Sequence, residues 1–145
     1  MRVTADKVTE PRLFITSDLH LGHKAIIQYC NRPFDFTDKG IEECDDFLLE
    51  QYRNTVNEND MVIFLGDLTF KKNHKGQKMT EIFTKLPGRK VLIKGNHDWY
   101  KDSFYRKCGF SETAPKIGLV AHFNLGLLAH INFGLSARFN FGLIA

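Results

Sequence analysis

Three short apolar runs, each followed at once by a polar, glycine-bearing loop, constrain this chain more than any other feature. They are Arg12-Leu13-Phe14-Ile15-Thr16-Ser17, Asp60-Met61-Val62-Ile63-Phe64-Leu65 and Lys90-Val91-Leu92-Ile93-Lys94. Near-continuous apolar runs of this length suit β-strands covered on both faces, as in a parallel sheet. Between the first two, Ile41, Cys44, Phe47, Leu48, Tyr52 and Val56 recur at helical spacing, which predicts a helix over 41–56. Glu42 and Glu43 suit the positive end of its dipole. Shorter helices are expected around His23–Cys30 and Met79–Lys85, the second stopping at Pro87-Gly88. Strand, helix, strand, helix, strand predicts an α/β fold.

This organisation does not last to the end of the 145 residues. After Glu112 the only charged side chains are Lys116 and Arg138. From Leu119 the chain repeats an octapeptide, LVAHFNLG, LLAHINFG, LSARFNFG and a partial LIA. The unit is far shorter than the roughly 20–50 residues of a solenoid repeat. The expected division is a body, 1–116, and an apolar repeat tail, 117–145. Residues 117–137 lack formal charge, but His122, Asn124, His130, Asn132 and Ser136 interrupt any membrane span, so no membrane segment is expected. Asn and Gly in every unit favour strand and turn, or disorder, over one continuous helix. A net charge of +3 is too mild to argue for nucleic acid by itself. No signal-peptide pattern opens the chain, and Cys30, Cys44 and Cys108 show no CxxC spacing. They read as small buried hydrophobes in a reducing compartment, with the cytoplasm expected.

The residues with chemical potential all lie just past the strand ends, where open α/β sheets gather ligands. The first strand runs into Ser17-Asp18-Leu19-His20-Leu21-Gly22-His23, the second into Gly66-Asp67-Leu68, the third into Gly95-Asn96-His97-Asp98. In an extended segment Asp18 and His20 would point to the same side. Asp67 adds a carboxylate able to bridge two cations, and Asn96 an amide oxygen. Oxygen and imidazole donors without thiolate favour Mn, Fe, Zn or Mg. Two such ions about 3.5–4 Å apart would activate water and clamp a phosphoryl group. Each piece also has a plain structural reading: Asp18 as a cap, His20 as an incidental turn residue, Gly66-Asp67 as a turn. Trp99 and Tyr100 read as packing residues walling the crevice, and His23 as structural at a helix start. The loop Lys71–Lys78, with four lysines, reads as a solvated face; the other reading is steering of phosphate-bearing substrates, nucleotides or RNA.

Together, Asp18-Leu19-His20 with Gly22-His23, Gly66-Asp67 and Gly95-Asn96-His97-Asp98 resemble the calcineurin-like metallophosphoesterases. Tyr29-Cys30-Asn31-Arg32-Pro33-Phe34, the helix at 41–56 and Asp60–Asp67 are most similar to small, phage-type members. The resemblance covers about residues 12–110. It implies a metallophosphoesterase-like sheet with flanking helices and a metal-dependent phosphoester hydrolase. Asp18 and His20 would bind the first metal, Asp67 would bridge, and Asn96 would hold the second. His97 would stabilise or protonate the departing oxygen, with Asp98 orienting its ring. The family continues with a metal-binding histidine and a Gly-His-x-His segment. This chain has no Gly-His-x-His, and only His122, itself a repeat position, falls where the first distal histidine is expected. The expectation is a fold with an incomplete second half, its activity weakened, holding one divalent ion where intact members hold two. The alternative is a non-catalytic remnant that binds at most one metal or a partner.

Overall fold

The computed structural model describes residues 10–69 and 76–114. The repeat tail, with His122, and most of the lysine loop lie outside the described residues.

Four strands alternate with four helices: β1 (Leu13–Thr16), α1 (Ile26–Tyr29), α2 (Asp38–Thr55), β2 (Met61–Phe64), α3 (Gly76–Thr84), β3 (Arg89–Ile93), α4 (Asp102–Lys107) and β4 (Phe110–Ala114). The strands pair in chain order, β1-β2-β3-β4, all parallel. Leu13 opposes Met61, and Met61 opposes Arg89, so the three predicted strands end level and release their loops on one edge. That common edge is what makes a shared site possible.

The core lies between the sheet and its helices. Val62, Phe64, Leu92 and Phe110 belong to one cluster with Leu48 and Tyr52 of α2, Met79 and Phe83 of α3, and Tyr105 of α4. Phe64 is its hub: its ring meets Tyr52 at 6.0 Å, Phe83 at 6.0 Å and Phe110 at 5.4 Å. Strand alternation sends Leu13, Ile15, Met61, Ile63, Val91 and Ile93 to the opposite face, where Ile63 is buried and the others are half-buried. The expectation of strands covered on both faces is met in the middle of the sheet, where Val62, Ile63, Phe64 and Leu92 are buried, and less at β1, whose residues are all half-buried.

α2 starts three residues before its predicted stripe because Thr37, in extended conformation, accepts the Gly40 amide at 2.9 Å and caps the first turn. Its buried stripe is Ile41, Cys44, Leu48, Leu49 and Tyr52. Phe47, expected inside, is 42% exposed and packs at the rim against Phe34. Helical spacing alone cannot separate the edge of a stripe from its centre. β4 was not foreseen, since Phe-Ser-Glu-Thr-Ala carries one large apolar residue and its Ser111 and Glu112 face solvent. α4 is only six residues long, too short to show a period. Cys44 and Cys108 are buried as expected, whereas Cys30 is exposed; all three are free thiols. Among the described residues no helix is long and apolar enough to cross a membrane.

Candidate metal centre

The loops after β1 and β2 run side by side. Asp18 N–H donates to Gly66 O (3.2 Å), His20 N–H to Asp67 O (3.0 Å) and Leu21 N–H to Leu68 O (3.1 Å). Along this seam the backbone leaves the extended region. Asp18 (φ 56°), His20 (φ 48°) and Asp67 (φ 54°) are all left-handed, a region costly for residues with a Cβ but less so for Asp and His than for most. Asp18 and His20 do converge, but through a left-handed turn and not through strand alternation. His20 Nε2 lies 3.3 Å from Asp18 Oδ1. One ligand atom from each of Asp18, His20 and Asp67 falls within 4.8 Å of the others.

The third loop is stitched on by two carboxylates. Asp98 Oδ2 accepts the amides of Asp67 (2.7 Å) and Gly95 (2.8 Å), and its Oδ1 accepts that of Leu68 (3.3 Å). Asp67 Oδ1 accepts the His97 amide at 2.8 Å. These contacts need two glycines. A Cβ on Gly66 would sit 2.2 Å from Gly95 N, and one on Gly95 would sit 2.3 Å from Asp67 Oδ1. The two loops meet backbone to backbone, which only glycine permits. Asp98 is 6% exposed, and burial raises its pKa above the ordinary carboxylate value despite the three amide bonds, with the Asp67 charge adding to the rise. The described hydrogen bonds of Asp98 all go to backbone amides, so its visible task is to join loops.

His97 brings its ring centroid to 5.5 Å from that of His20. His23 sits on the other flank of His20, also at 5.5 Å. Asn96 is on the same turn, exposed, its carbonyl accepting the Trp99 indole N–H at 2.5 Å. Trp99 and Tyr100, expected as packing residues, are 66% and 42% exposed. Tyr100 stacks on Phe104 at 4.1 Å, while Trp99 stands at the rim.

Two residues that sequence reasoning did not single out hold the first loop. Arg32 donates from Nη1 to Leu19 O (3.2 Å) and from Nη2 to Asp18 O (3.0 Å), satisfying carbonyls that the left-handed turn takes away from regular pairing. Asp45, on α2, accepts the Gly22 amide at 2.8 Å. Burial pushes the Asp45 carboxyl up to about 7; the Gly22 amide and the charges of Lys78 and Arg32 pull it back, and Asp46 adds to the rise. The one sequence signal for Asp45 is a carboxylate next to a buried helix position, Cys44.

That shift has a consequence for stability. Below the ordinary carboxylate value Asp45 is protonated folded or unfolded; above about 7 it is ionised in both, and the folded state bears the burial penalty. Asp45→Asn, which keeps an acceptor for Gly22, is expected to stabilise the protein at pH 8 by on the order of 2 kcal/mol. The gain should fade toward pH 4, and urea titrations at the two pH values measure it.

Comparison with known proteins points to one family. The family model described as calcineurin-like phosphoesterase matches residues 11–138, reaching past residue 116 into the octapeptides. An uncharacterized protein of Methanocaldococcus jannaschii is 41% identical over 93 residues, 64% of this chain and 50% of that one. The gene 66 protein of Mycobacterium phage L5 is 38% identical over 86 residues, 59% of this chain and 39% of that one. The crystal structure of an Aquifex aeolicus protein of unknown function superposes with a TM-score of 0.53 at 32% identity, covering 72% of this chain and 51% of that one. The chain spans half or less of the two sequence relatives and about half of the structural one.

Proposed function

Because the chain belongs to the calcineurin-like phosphoesterases, we propose that its three convergent loops form the metal-binding half of a phosphoester hydrolase site. The observation that carries this reading is the set Asp18, His20 and Asp67, with ligand atoms within 4.8 Å of one another. Two carboxylates and one imidazole, with no thiolate, suit a hard or borderline dication such as Mn, Fe, Zn or Mg. When bound, such an ion supplies an activated water and a Lewis acid for the phosphoryl oxygens.

The chain's own residues do the rest. Asp67, its Oδ1 oriented by the His97 amide, faces the first-metal ligands and can be shared with a second ion that Asn96 would help hold. Two dications against two aspartates and a hydroxide would leave a formal surplus of about one positive charge for an anionic ester, whereas a single dication would be balanced by the two aspartates. His97, one ring contact from His20, would give a proton to the departing oxygen. Asp98 acts through the backbone: by holding the Asp67, Leu68 and Gly95 amides it sets where Asp67 and His97 point. Among the described residues, Asp18, His20 and Asp67 are the histidine and acidic side chains close enough together to share an ion, and the sequence has no Gly-His-x-His to add further ligands. The three free thiols go with a reducing, cytoplasmic setting.

The test is titration calorimetry of the full chain with Mn²⁺, followed by hydrolysis of bis(4-nitrophenyl) phosphate. One saturable site with Mn²⁺-dependent turnover is expected. Saturable binding with no turnover above buffer would favour the non-catalytic remnant, and no binding at all would overturn the hydrolase reading and leave only a remnant without a metal.

A further inference from the structure

Among the described residues, the large aromatic side chains most open to solvent are Tyr29, at 76%, and Trp99, at 66%. Both are linked to the candidate metal centre through histidine rings. Tyr29 meets His23 edge-on at 6.0 Å, His23 meets His20 at 5.5 Å, His20 meets His97 at 5.5 Å, and His97 meets Trp99 at 5.8 Å. A continuous run of five rings thus has a buried metal-ligand candidate, His20, at its middle and an open aromatic face at each end.

Each end edges one histidine ring and still keeps most of its surface in water. The other exposed aromatics each have a local use: Phe47 packs on Phe34, Phe36 lies under the Lys24 ammonium at 5.6 Å, and Tyr100 stacks on Phe104. Trp99 is instead held outward, its indole N–H tied to Asn96 O. A fixed indole in water has little rotamer freedom left to lose when something stacks on it. Nucleobases are a widespread planar ring system carried on phosphoesters, and base–aromatic stacking is sequence-tolerant because every base has a π-face.

We propose that the site takes nucleobase-bearing phosphoesters, with a base stacked on Trp99, a further base of an oligonucleotide on Tyr29, and the phosphate at the ion that Asp18, His20 and Asp67 would hold. The proposal rests on the phosphoester reading of that centre and adds the substrate class. Removing one stacking partner should weaken binding roughly 5- to 150-fold.

Trp99 is the chain's single tryptophan, so its fluorescence reports on the stacking directly and without turnover. The full-length protein would be titrated with adenosine 5′-monophosphate, with hexathymidylate and with ribose 5-phosphate. Saturable quenching by a base-bearing ligand and none by ribose 5-phosphate is expected. Half-saturation by hexathymidylate at tenfold or more lower concentration would identify single-stranded nucleic acid as the source of the base; tighter binding of the mononucleotide would identify free nucleotides. Tyr29→Ala should weaken hexathymidylate at least about fivefold, with Tyr29→Phe restoring it. No quenching by either base-bearing ligand, or equal quenching by ribose 5-phosphate, would overturn the proposal. Quenching without hydrolysis would remove the hydrolase reading and leave the base site standing; hydrolysis without quenching would do the reverse.

Discussion

Asp67→Ala is expected to weaken Mn²⁺ binding by about 100-fold or more, beyond the usual cost of losing an outer partner of a metal ligand, and to abolish any Mn²⁺-dependent hydrolysis. Three effects coincide at this one carboxylate. It belongs to the only acid–imidazole cluster of this kind among the described residues. It accepts the His97 amide, so its loss frees the turn that carries Asn96 and His97. It also fills the space that Gly95 leaves open, where a Cβ would come within 2.3 Å of its Oδ1. Asp67→Asn separates these roles. It keeps an acceptor for the His97 amide but removes the charge, so it should retain the wild-type circular dichroism and melting point and still lose the metal. Wild-type Mn²⁺ affinity in Asp67→Ala would remove Asp67 from the centre.

At the opposite end of the sheet, Asp60→Ala is expected to cost about 3–4 kcal/mol of folding stability. Asp60 is 2% exposed and accepts the Arg12 amide (2.9 Å), the Arg12 guanidinium (2.7 Å from Nη2) and the Asn57 amide (2.8 Å). Arg12 Nη2 also reaches Thr55 O at 2.6 Å. One carboxylate thus joins the start of β1, the end of α2 and the turn into β2. Burial alone would raise its pKa, but the Arg12 and amide contacts outweigh burial and hold it below the ordinary value. A depressed folded pKa means stability that is complete above the unfolded carboxylate value of about 4 and lost as pH falls through the lower folded one. Urea unfolding should therefore show a large gap between wild type and Asp60→Asn at pH 7 that narrows below about pH 4. A constant gap across that range would mean that Asp60 acts through hydrogen bonding alone.

Much of the fold is written in local sequence because its causes are local. β1, β2 and β3 fall within a residue or two of the three apolar runs, and α2 covers the predicted helix except Val56, its extended C-cap, since burial demands apolar side chains at a short, readable period. The elements that were missed have no such period. β4 survives by pairing with β3 through its backbone, which leaves little trace in its side chains, and α4 is shorter than two turns. Phe47 and Cys30 were expected inside and lie outside, because a period defines a face but not how far the neighbouring element extends across it.

The candidate centre divides in the same way. The sequence by itself determined which donors exist and that they follow strand ends: Asp18, His20, Asp67, Asn96 and His97 each sit in a short polar loop bounded by glycine or by an apolar run. Only the tertiary structure decided how the donors meet, through left-handed turns at Asp18, His20 and Asp67, through the glycine-to-glycine contact of Gly66 and Gly95, and through Asp98, Arg32 and Asp45 holding loop backbone in place. The physical reason is the range of the forces involved. Side-chain chemistry is a property of one residue, whereas a backbone amide satisfied by a carboxylate thirty residues away exists only once the sheet has set both loops on the same edge.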